Sequence, residues 1–367
     1  MSTPRILVWF WSGGGGGSQF AAHLAHRLSL RFGAENVALS LREDDPTVAT
    51  ARNAGVRVRT AAITSSRHKP LASAMGLIKA RGVLEDHARD ADVVIAAMNF
   101  AIAAPLAAGL SKPLVYCAHD PAPHPGDYEA RMQRLTQGAL LRRADAVVGH
   151  STFAVDALRR AGVPEHKLHM APLASVFPPA EPTERRSGKP VRLLFVGRMI
   201  DYKGVDILAD ALPLLGDRND WRLTIAGHGP ALTPDLAARL SEHADSVRSG
   251  WLSEAEIVDL FAQHDVLLAP YRAASQSGVV AQAMAAGLPC VVTPVGGLVE
   301  QIGGGGGGWV AGAATPHAFA AVLAGALNDD AARENKAKGA LALARAAWDA
   351  PHWDWLERDW RRTKSGG

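Results

Sequence analysis

Short apolar runs alternate with longer segments of helical spacing along most of this 367-residue chain. A strand that is apolar at every position is buried on both faces, and the intervening segments are long enough for crossover helices. The alternation therefore predicts the α/β class, with parallel sheets covered by helices. The predicted strands are Ile6–Trp11, Val37–Leu41, Val56–Ala62, Val93–Met98, Leu114–Ala118, Ala146–Gly149, Arg192–Val196, Arg222–Ala226, Val266–Ala269 and Cys290–Thr293.

The segment Pro178–Pro190 (PPAEPTERRSGKP) interrupts this pattern with proline and charge, as interdomain linkers do. We therefore expect two doubly wound domains facing a cleft, the first over residues 1–180 and the second over 190–345. Both cysteines, Cys117 and Cys290, lie in apolar runs, which predicts buried thiols and no disulfide scaffold.

Charge excludes one class of partner and leaves another open. The net charge of +3 is too small to indicate nucleic-acid binding. Residues 1–180 carry 20 Lys and Arg against 14 Asp and Glu, whereas residues 181–367 carry 19 against 22. The basic first half favours an anionic acceptor or membrane surface, or else reflects scattered solvated charges. Arg67–Arg81 is either an interfacial amphipathic helix or an ordinary surface helix.

Two apolar segments are too weak to be membrane signals. The Ile6–Trp11 run is too short for the core of a signal peptide. Val93–Ser111 is uncharged but interrupted by Asn99 and Pro105, so we interpret it as a strand followed by a buried helix. These features predict a cytoplasmic protein.

The first candidate site is a glycine run between a strand and a helix, ILVWFW-SGGGGG-SQFAAHLAHRL. Backbone N–H groups without side chains can approach a phosphate, and a helix N-terminus favours negative charge. The run lacks the G-x-G-x-x-G spacing and no Lys-Ser/Thr pair follows, which excludes a dinucleotide fingerprint and a P-loop. We expect Gly15, Gly16 and Gly17 to bind donor phosphate; the alternative is a tight turn without a ligand.

The second candidate site is VRLLFVGRMIDYKGVDILADAL. Its strand ends at Gly197 and Arg198, and Lys203 precedes the next helix. Ligands of open α/β sheets bind at the carboxyl ends of strands. A planar guanidinium and a compact ammonium suit a diphosphate, unless both are solvated surface cations. Gly227 follows a neighbouring strand and lines the same edge.

The third candidate site is VLLAPYRAASQSGVVAQAMAAGLPCVVTPVGGLVE. Ser275 or Ser277 can cap a helix that runs to Ala286 and presents free N–H groups at its positive end. Gln282 on this helix bonds either ribose hydroxyls or a core carbonyl. The predicted donor-binding residues of this site are Ser275, Gln276, Ser277, Gly278, Val279 and Gln282.

Together these motifs resemble the retaining glycosyltransferases of family 4, which have the GT-B fold of two Rossmann-like domains. VGR…KG, AGHGP, GWLSEAEIVDLFAQHDVLLAPY and AMAAGLPCVVTPVGGLVE occur in that family's order and span nearly the whole chain. The resemblance implies transfer of a hexose-like sugar from a nucleoside diphosphate to an acceptor hydroxyl, with retention at the anomeric carbon. It also implies that residues 346–367 form a last helix that crosses back onto the first domain, anchored by tryptophans.

The segment LVYCAHDPAPHPGD resembles the family's His-x-Pro position, which corresponds to His119 and Pro121 here. The resemblance implies that His119 hydrogen-bonds the donor sugar and steadies the transition state. His124 and Asp127 in the following loop are candidates for acceptor contacts.

The chain departs from the family at two positions. Family members usually carry two glutamates eight residues apart in the third site, and these positions hold Ala274 and Gln282 here. The segment resembles a variant branch that reads TQSGV in place of EGFG. Gln282 can still form hydrogen bonds, but Ala274 has no polar group, so backbone donors at Ser275–Gly278 are candidates to replace it.

The resemblance implies a metal-independent reaction without a cofactor, in which Arg198, Lys203 and the helix N-terminus neutralise the leaving diphosphate. The implied partners are a nucleotide sugar and a glycan or lipid-linked acceptor in cell-surface polysaccharide synthesis, with peripheral contact with the anionic inner face of the membrane. Two alternatives stay open. One is a catalytically impaired homologue that acts as a binding or scaffold protein, and the other is a sugar-nucleotide epimerase.

Overall fold

A computed structural model describes residues 3–63, 74–122, 130–181 and 188–359. These residues form two compact units. The first holds residues 3–63, 74–122, 130–172 and 351–359, and the second holds residues 173–181 and 188–350. Each unit is one parallel sheet with associated helices, as the alternation of apolar and helical segments predicted.

The described part of the first unit contains a seven-stranded parallel sheet in the order β3-β2-β1-β4-β5-β6-β7. Its strands are β1 Ile6–Trp9, β2 Val37–Arg42, β3 Arg57–Ala61, β4 Val93–Ala96, β5 Leu114–Cys117, β6 Ala146–Gly149 and β7 Leu168–Met170. Its helices are α1 Gly16–Phe32, α2 Thr47–Asn53, α3 Ala74–Ala88, α4 Ala103–Ala107, α5 Ala130–Arg143 and α6 Thr152–Arg160.

The second unit has six parallel strands in the order β10-β9-β8-β11-β12-β13, again counted over the described residues. The strands are β8 Val191–Val196, β9 Trp221–Gly227, β10 Ser246–Ser249, β11 Val266–Ala269, β12 Cys290–Val292 and β13 Gly308–Val310. Its helices are α7 Val205–Ala211, α8 Pro234–Ser241, α9 Glu254–Gln263, α10 Gly278–Ala285, α11 Leu298–Gln301, α12 Pro316–Asn328 and α13 Asp330–Asp349.

In each sheet, the strands that follow the first strand in the chain are added on one side of it, and later strands are added on its other side. Ile6 of β1 pairs with Val37 of β2 on one side and with Val93 of β4 on the other. In the second sheet β8 lies between β9 and β11. Such a reversal opens a crevice at the carboxyl ends of the two central strands, where open α/β sheets bind their ligands.

Three strands escaped the sequence analysis because they lie at sheet edges or carry few apolar residues. β10 reads SVRS and is half-exposed or exposed, β7 has three residues, and β13 begins at the last glycine of the run Gly303–Gly308. The strand and buried helix predicted within Val93–Ser111 are confirmed by β4 and α4. Among the described residues, no helix is long and apolar enough to cross a membrane.

The change from the first unit to the second falls between residues 172 and 173, before the proline-rich segment. Residues Leu173–Val176 form a buried 3₁₀ turn that packs against α10 and α13 of the second unit. The chain returns to the first unit at residue 351, where α14 (Trp355–Asp359) follows. Trp355 stacks on His169 with ring centroids 3.7 Å apart, and Arg31 pairs with Asp354.

Candidate functional site

The carboxyl edge of the second sheet is built from two loops that touch backbone to backbone. Gly197 follows the last residue of β8 and Gly227 is the last residue of β9, and a β-carbon added at Gly227 would overlap the carbonyl oxygen of Gly197. The N–H of Met199 donates to the carbonyl of His228 at 2.8 Å. The predicted donor residue Gly227 is therefore required for this close approach of two loops, and the predicted donor residue Gly197 has a φ of +132°, which side chains disfavour.

Lys203 lies at this edge on the face of an aromatic ring. Its Nζ is 3.8 Å from the ring centroid of Tyr271, the second residue after β11, and 5.4 Å from that of Tyr202. Gly204 makes this placement possible, because a β-carbon there would overlap the carbonyl oxygen of Pro270. The Lys-Gly pair thus fixes an ammonium between the carboxyl ends of β8 and β11, at the switch point of the sheet.

Arg198 is the second residue after β8 and is exposed. The connection between β8 and α7 therefore carries both predicted cations, of which Arg198 is exposed and Lys203 is half-buried. A guanidinium in water keeps its planar fork available to a phosphate group, whereas the ammonium of Lys203 is already oriented by its aromatic contact.

The N-terminus of α10 is held by side chains on both sides. Ser277, and not Ser275, is its cap: the Ser277 Oγ accepts from the N–H of Val280 at 3.4 Å. Gln301 binds the backbone of the same residue, since its Oε1 accepts from the Ser277 N–H at 3.0 Å and its Nε2 donates to the Ser277 carbonyl at 2.8 Å. Among the described residues, no acceptor contacts the N–H groups of Gly278 and Val279, so these amides point out of the helix end.

The residues around this cap are packed. Ser275 and Gln276 are 3% and 5% exposed. Ala274, at one of the two positions where the family carries glutamate, is buried, and its carbonyl accepts from the N–H of Gly297 at 3.3 Å. Gln282 is half-buried on α10, one turn beyond Gly278. The structure thus keeps the backbone of the donor loop in order without a carboxylate at Ala274.

The glycine run of the first unit is bound by the chain's own carboxylate. Asp45 is buried; its Oδ2 accepts from the Gly14 N–H at 3.3 Å and from the Ser18 Oγ at 2.7 Å. Its Oδ1 accepts from the Thr47 N–H at 2.9 Å. The guanidinium of Arg42, which pairs with Asp44, lies beside Gly13, so this loop carries charges of both signs.

The three predicted glycines of this run differ in surroundings. Gly15 is the N-cap of α1 with φ +96°, and a β-carbon at Gly17 would overlap the ring of Phe10. A β-carbon at Gly16 would meet no atom within 4 Å. Gly16 therefore borders open space, whereas the space beside Gly17 is filled by Phe10.

His119 lies two residues after β5, at the carboxyl edge of the first sheet. Its Nδ1 is 3.5 Å from the Oδ2 of Asp120. The ring of Phe20 contacts it edge-on with centroids 5.9 Å apart, and the ring of His150 lies 6.0 Å away. The partly exposed imidazole of His119 therefore packs against two buried rings, those of Phe20 and His150.

His150 is a residue that the sequence analysis missed. It follows β6 directly, is 3% exposed, and its Nδ1 donates to the carbonyl of Ala171 at 2.8 Å. Burial, with a smaller contribution from His119, lowers the pKa of His150 to about 3, so it is neutral at pH 7. Its position after a strand was the available signal, and the neighbouring Ser151 caps α6.

Trp251 is a second missed residue, an exposed aromatic ring beyond the end of β10. Its side chain is 53% exposed, and its ring lies 5.9 Å from that of His228. Its exposed ring offers an apolar face with a polar N–H at its edge, which makes Trp251 a candidate contact residue. The signal in the sequence was a tryptophan within a polar segment, at Gly250-Trp251. These two residues also begin a motif of the resembled family.

Some predicted residues lie outside the described part of the chain. His124 and Asp127, the candidate acceptor contacts, are among them, as is Arg67–Lys69 of the basic segment. Within the described ranges, no group of three or more His, Cys, Asp or Glu side chains is arranged to hold a metal ion. Cys117 and Cys290 are both buried free thiols, which confirms their predicted packing role.

Comparison with known proteins identifies both units. Residues 15–174 match the model of the glycosyl transferase 4-like domain, and residues 190–329 match that of glycosyl transferases group 1. The D-inositol 3-phosphate glycosyltransferase of Xylanimonas cellulosilytica is 30% identical over 267 residues, which cover 65% of this chain and 63% of that protein. The lipopolysaccharide core mannosyltransferase LpsB of Rhizobium meliloti is 32% identical over 178 residues, 45% of this chain and 50% of LpsB. These matches span less than two thirds of either relative.

Solved structures give the fold. Anabaena HepE in complex with UDP-glucose has a TM-score of 0.73 at 18% identity, with 99% of this chain and 100% of HepE covered. Sucrose-phosphate synthase from Thermosynechococcus elongatus has a TM-score of 0.71 at 17% identity, with 99% and 100% covered. The two family models and the two parallel-sheet units thus confirm the predicted GT-B fold, and the chain belongs to the GT4-type glycosyltransferases.

Proposed function

We propose that this protein is a retaining glycosyltransferase that moves a hexose-like sugar from a nucleoside-diphosphate sugar to a hydroxyl of a glycan or lipid-linked acceptor. The observation that carries the proposal is Lys203, seated on Tyr271 at the switch point of the second sheet, on the loop that also bears Arg198. Related structures support a nucleotide-sugar donor, since Anabaena HepE was solved with UDP and with UDP-glucose.

In the proposed reaction, the bond between the anomeric carbon and the β-phosphate oxygen breaks, and the acceptor oxygen bonds to the same carbon on the same face. The acceptor proton passes to the departing phosphate oxygen. Negative charge grows on the diphosphate, and Arg198, Lys203 and the Gly278 and Val279 amides of α10 neutralise it. His119 hydrogen-bonds the sugar, and His124 and Asp127 contact the acceptor.

The donor loop is proposed to work in a variant form. Ala274 removes the carboxylate that the family places near the sugar, and the Ser277 cap with its Gln301 clamp holds backbone donors in that region instead. Gln282 takes the place of the second glutamate, with neutral hydrogen bonds of about 1 kcal/mol in place of charge-assisted ones of about 2 kcal/mol. The proposed reaction needs no divalent metal, because the cations and helix amides supply the positive potential.

A membrane-facing role rests on α3. Met75 and Ile78 are 75% and 67% exposed, beside exposed Lys79, whereas Ala80 and Leu84 are buried. An exposed apolar pair next to a cation suits the surface of an anionic bilayer. We propose peripheral contact with the inner face of the cytoplasmic membrane, where lipid-linked acceptors of polysaccharide synthesis would be met. Flotation with phosphatidylglycerol vesicles, compared with phosphatidylcholine vesicles and with a Met75→Glu/Ile78→Glu variant, tests this contact.

Turnover tests the central proposal. The protein is incubated with UDP-glucose, GDP-mannose or ADP-glucose and an acceptor panel that includes D-inositol 3-phosphate, and nucleoside-diphosphate release is followed. We expect release that depends on acceptor, persists in EDTA, and falls in His119→Ala, with the anomeric configuration of the product matching that of the donor by NMR. An inverted product, or loss of activity in EDTA that Mg²⁺ restores, contradicts the corresponding part of the proposal.

The second candidate, a binding or scaffold protein, is favoured by the absence of both glutamates, at Ala274 and Gln282. It predicts that nucleotide sugars bind but that no acceptor promotes release, and that His119→Ala changes nothing. An epimerase would instead incorporate solvent deuterium into the recovered sugar nucleotide without an acceptor. The same incubations, run in deuterium oxide, therefore separate all three functions.

A further inference from the structure

Tyr271 connects the two anion-binding elements of the second unit. It is 2% exposed, and one face of its ring carries the Lys203 ammonium at 3.8 Å. Its hydroxyl hydrogen-bonds the Oγ of Ser277, the cap of α10, at 3.2 Å. One buried side chain thus contacts both the cation and the helix N-terminus that face a diphosphate in the proposed function.

The backbone of Tyr271 is held by the neighbouring strand. The Thr293 Oγ1 donates to the Tyr271 carbonyl, which ties the residue to the end of β12. Burial raises the pKa of Tyr271 to about 12, so the phenol keeps its proton and the bond to Ser277 at neutral pH. The buried side chain of Tyr271 can therefore orient Ser277 and Lys203 without being displaced by a ligand.

The cap is fixed from the opposite side by Gln301. The Gln301 side-chain amide makes two hydrogen bonds to the backbone of Ser277. Ser277 is therefore bonded to Tyr271, which follows β11, and to Gln301 on α11. The first turn of α10 is therefore positioned by side chains that lie outside the helix. None of these side chains carries a charge, which leaves Lys203 as the charged member of the group.

We propose that Tyr271 is a positioning residue for the donor diphosphate: its ring seats the Lys203 ammonium and its hydroxyl ties that seat to the N-terminus of α10. This inference rests on the proposed function. It assigns to Tyr271 an effect on the diphosphate alone, transmitted through Lys203, and no contact with the sugar or the base. The ring face is the part that matters, because the attraction of an ammonium for an aromatic ring depends on the electron density of that face.

A double-mutant cycle tests the transmission. UDP, GDP and ADP are titrated by calorimetry into the wild type, Tyr271→Met, Lys203→Met and the double variant, and the tightest diphosphate is compared with its parent nucleoside. We expect Tyr271→Met to weaken diphosphate binding about tenfold and to leave the nucleoside unchanged. In the Lys203→Met background, the same substitution should change diphosphate binding by less than about twofold.

An isosteric series keeps the test independent of folding. Phenylalanine, monofluoro- and trifluorophenylalanine at position 271 have nearly the same shape but successively weaker negative potential on the ring face. Diphosphate affinity should fall along the series in the wild type and stay flat in Lys203→Met. Phe319→Met, a loss of a fully buried ring on α12, is the matched control and should lower stability without changing the diphosphate Kd.

The outcomes are distinct. Additive losses in the cycle, or a flat fluorination series in the wild type, overturn the role of Tyr271 while diphosphate binding itself survives. If the wild type binds none of the three diphosphates, the proposed function fails, and the assignment of Tyr271 fails with it.

Discussion

The carboxyl edges of the two sheets share a topology and differ in local charge. In the second unit this edge carries Lys203 on Tyr271 and the open amides of α10. In the first unit it carries the Asp45 carboxylate under the glycine run and the neutral ring of His150 beside His119. One edge presents an ammonium and open helix amides, whereas the other presents a buried carboxylate, the Arg42 guanidinium beside Gly13 and two imidazoles, although both sheets reverse at the same point.

The net charges of the two halves of the chain have the opposite order to the local charges at the two edges. Residues 1–180 have 20 basic and 14 acidic side chains, and residues 181–367 have 19 and 22. The acidic half nevertheless holds the cation of the proposed diphosphate site. Because a few oriented groups in a partly dry crevice dominate the local field, the charge of a whole domain does not indicate which ligand its crevice accepts.

The largest expected effect concerns the carboxyl edge of the first unit's sheet. Asp45→Ala removes the acceptor of Gly14, Ser18 and Thr47 and leaves their donors buried, so we expect the free energy of unfolding to fall by about 3 kcal/mol. Urea denaturation measures the loss, and Asp90→Ala at an exposed ion pair should change it by less than about 0.5 kcal/mol. In the near-isosteric Asp45→Asn, diphosphate affinity should stay unchanged. A large gain in affinity would show that the glycine run binds the diphosphate after all, and the contrast between the edges would be lost.

The second prediction concerns the cations. Lys203→Ala and Arg198→Ala should each lower donor turnover by about 100-fold, equivalent to about 2.7 kcal/mol of transition-state stabilisation. The measurement is kcat/KM for the best donor. Lys338→Ala, on the exposed side of α13, is the control and should behave as wild type. Wild-type rates in both cation variants would remove the proposed diphosphate clamp.

The third prediction uses acid to probe His150. Because burial lowers its pKa from 6.5 to about 3, the unfolded chain takes up a proton that the folded chain does not. Stability from this group is present above pH 6.5 and lost as the pH falls towards 3; between pH 7.5 and 5 the loss is about 2 kcal/mol. His150→Gln keeps a donor for Ala171 without titrating. Urea unfolding at both pH values should show a loss about 2 kcal/mol larger in wild type, and equal losses would mean that His150 is protonated in the folded protein.

The smallest effect concerns Trp251. If its exposed ring stacks on the base of the nucleotide, Trp251→Ala should weaken a nucleoside and its diphosphate equally, by about tenfold or about 1.4 kcal/mol. Lys203→Ala should affect only the diphosphate, which separates the two contacts by calorimetry. Leu214→Ala, another exposed apolar side chain of the same unit, should have no effect. Unchanged nucleoside binding in Trp251→Ala would assign this surface to something other than the base.

Most of the fold could be predicted from the sequence because buried parallel strands leave continuous apolar runs. β10 could not, since an edge strand such as SVRS needs apolar side chains on one face at most. The cations at Arg198 and Lys203 were predictable from strand ends and residue chemistry. The seat of Lys203 was not, because it depends on Tyr271, which is remote in the chain and is recognised only once β8 and β11 are neighbours. Asp45 was hidden for the same reason: a carboxylate that serves three donors looks like any acidic loop residue.

The closeness of Gly204 to the carbonyl of Pro270 has a consequence for experiments on this family member. A methyl group at position 204 would force the turn away from β11 and carry the neighbouring ammonium off its ring, with every ionisable side chain still present. Alanine scans restricted to charged residues would overlook such a position. Searches for impaired natural variants should therefore weigh small-residue changes beside a functional lysine as heavily as changes to the lysine itself.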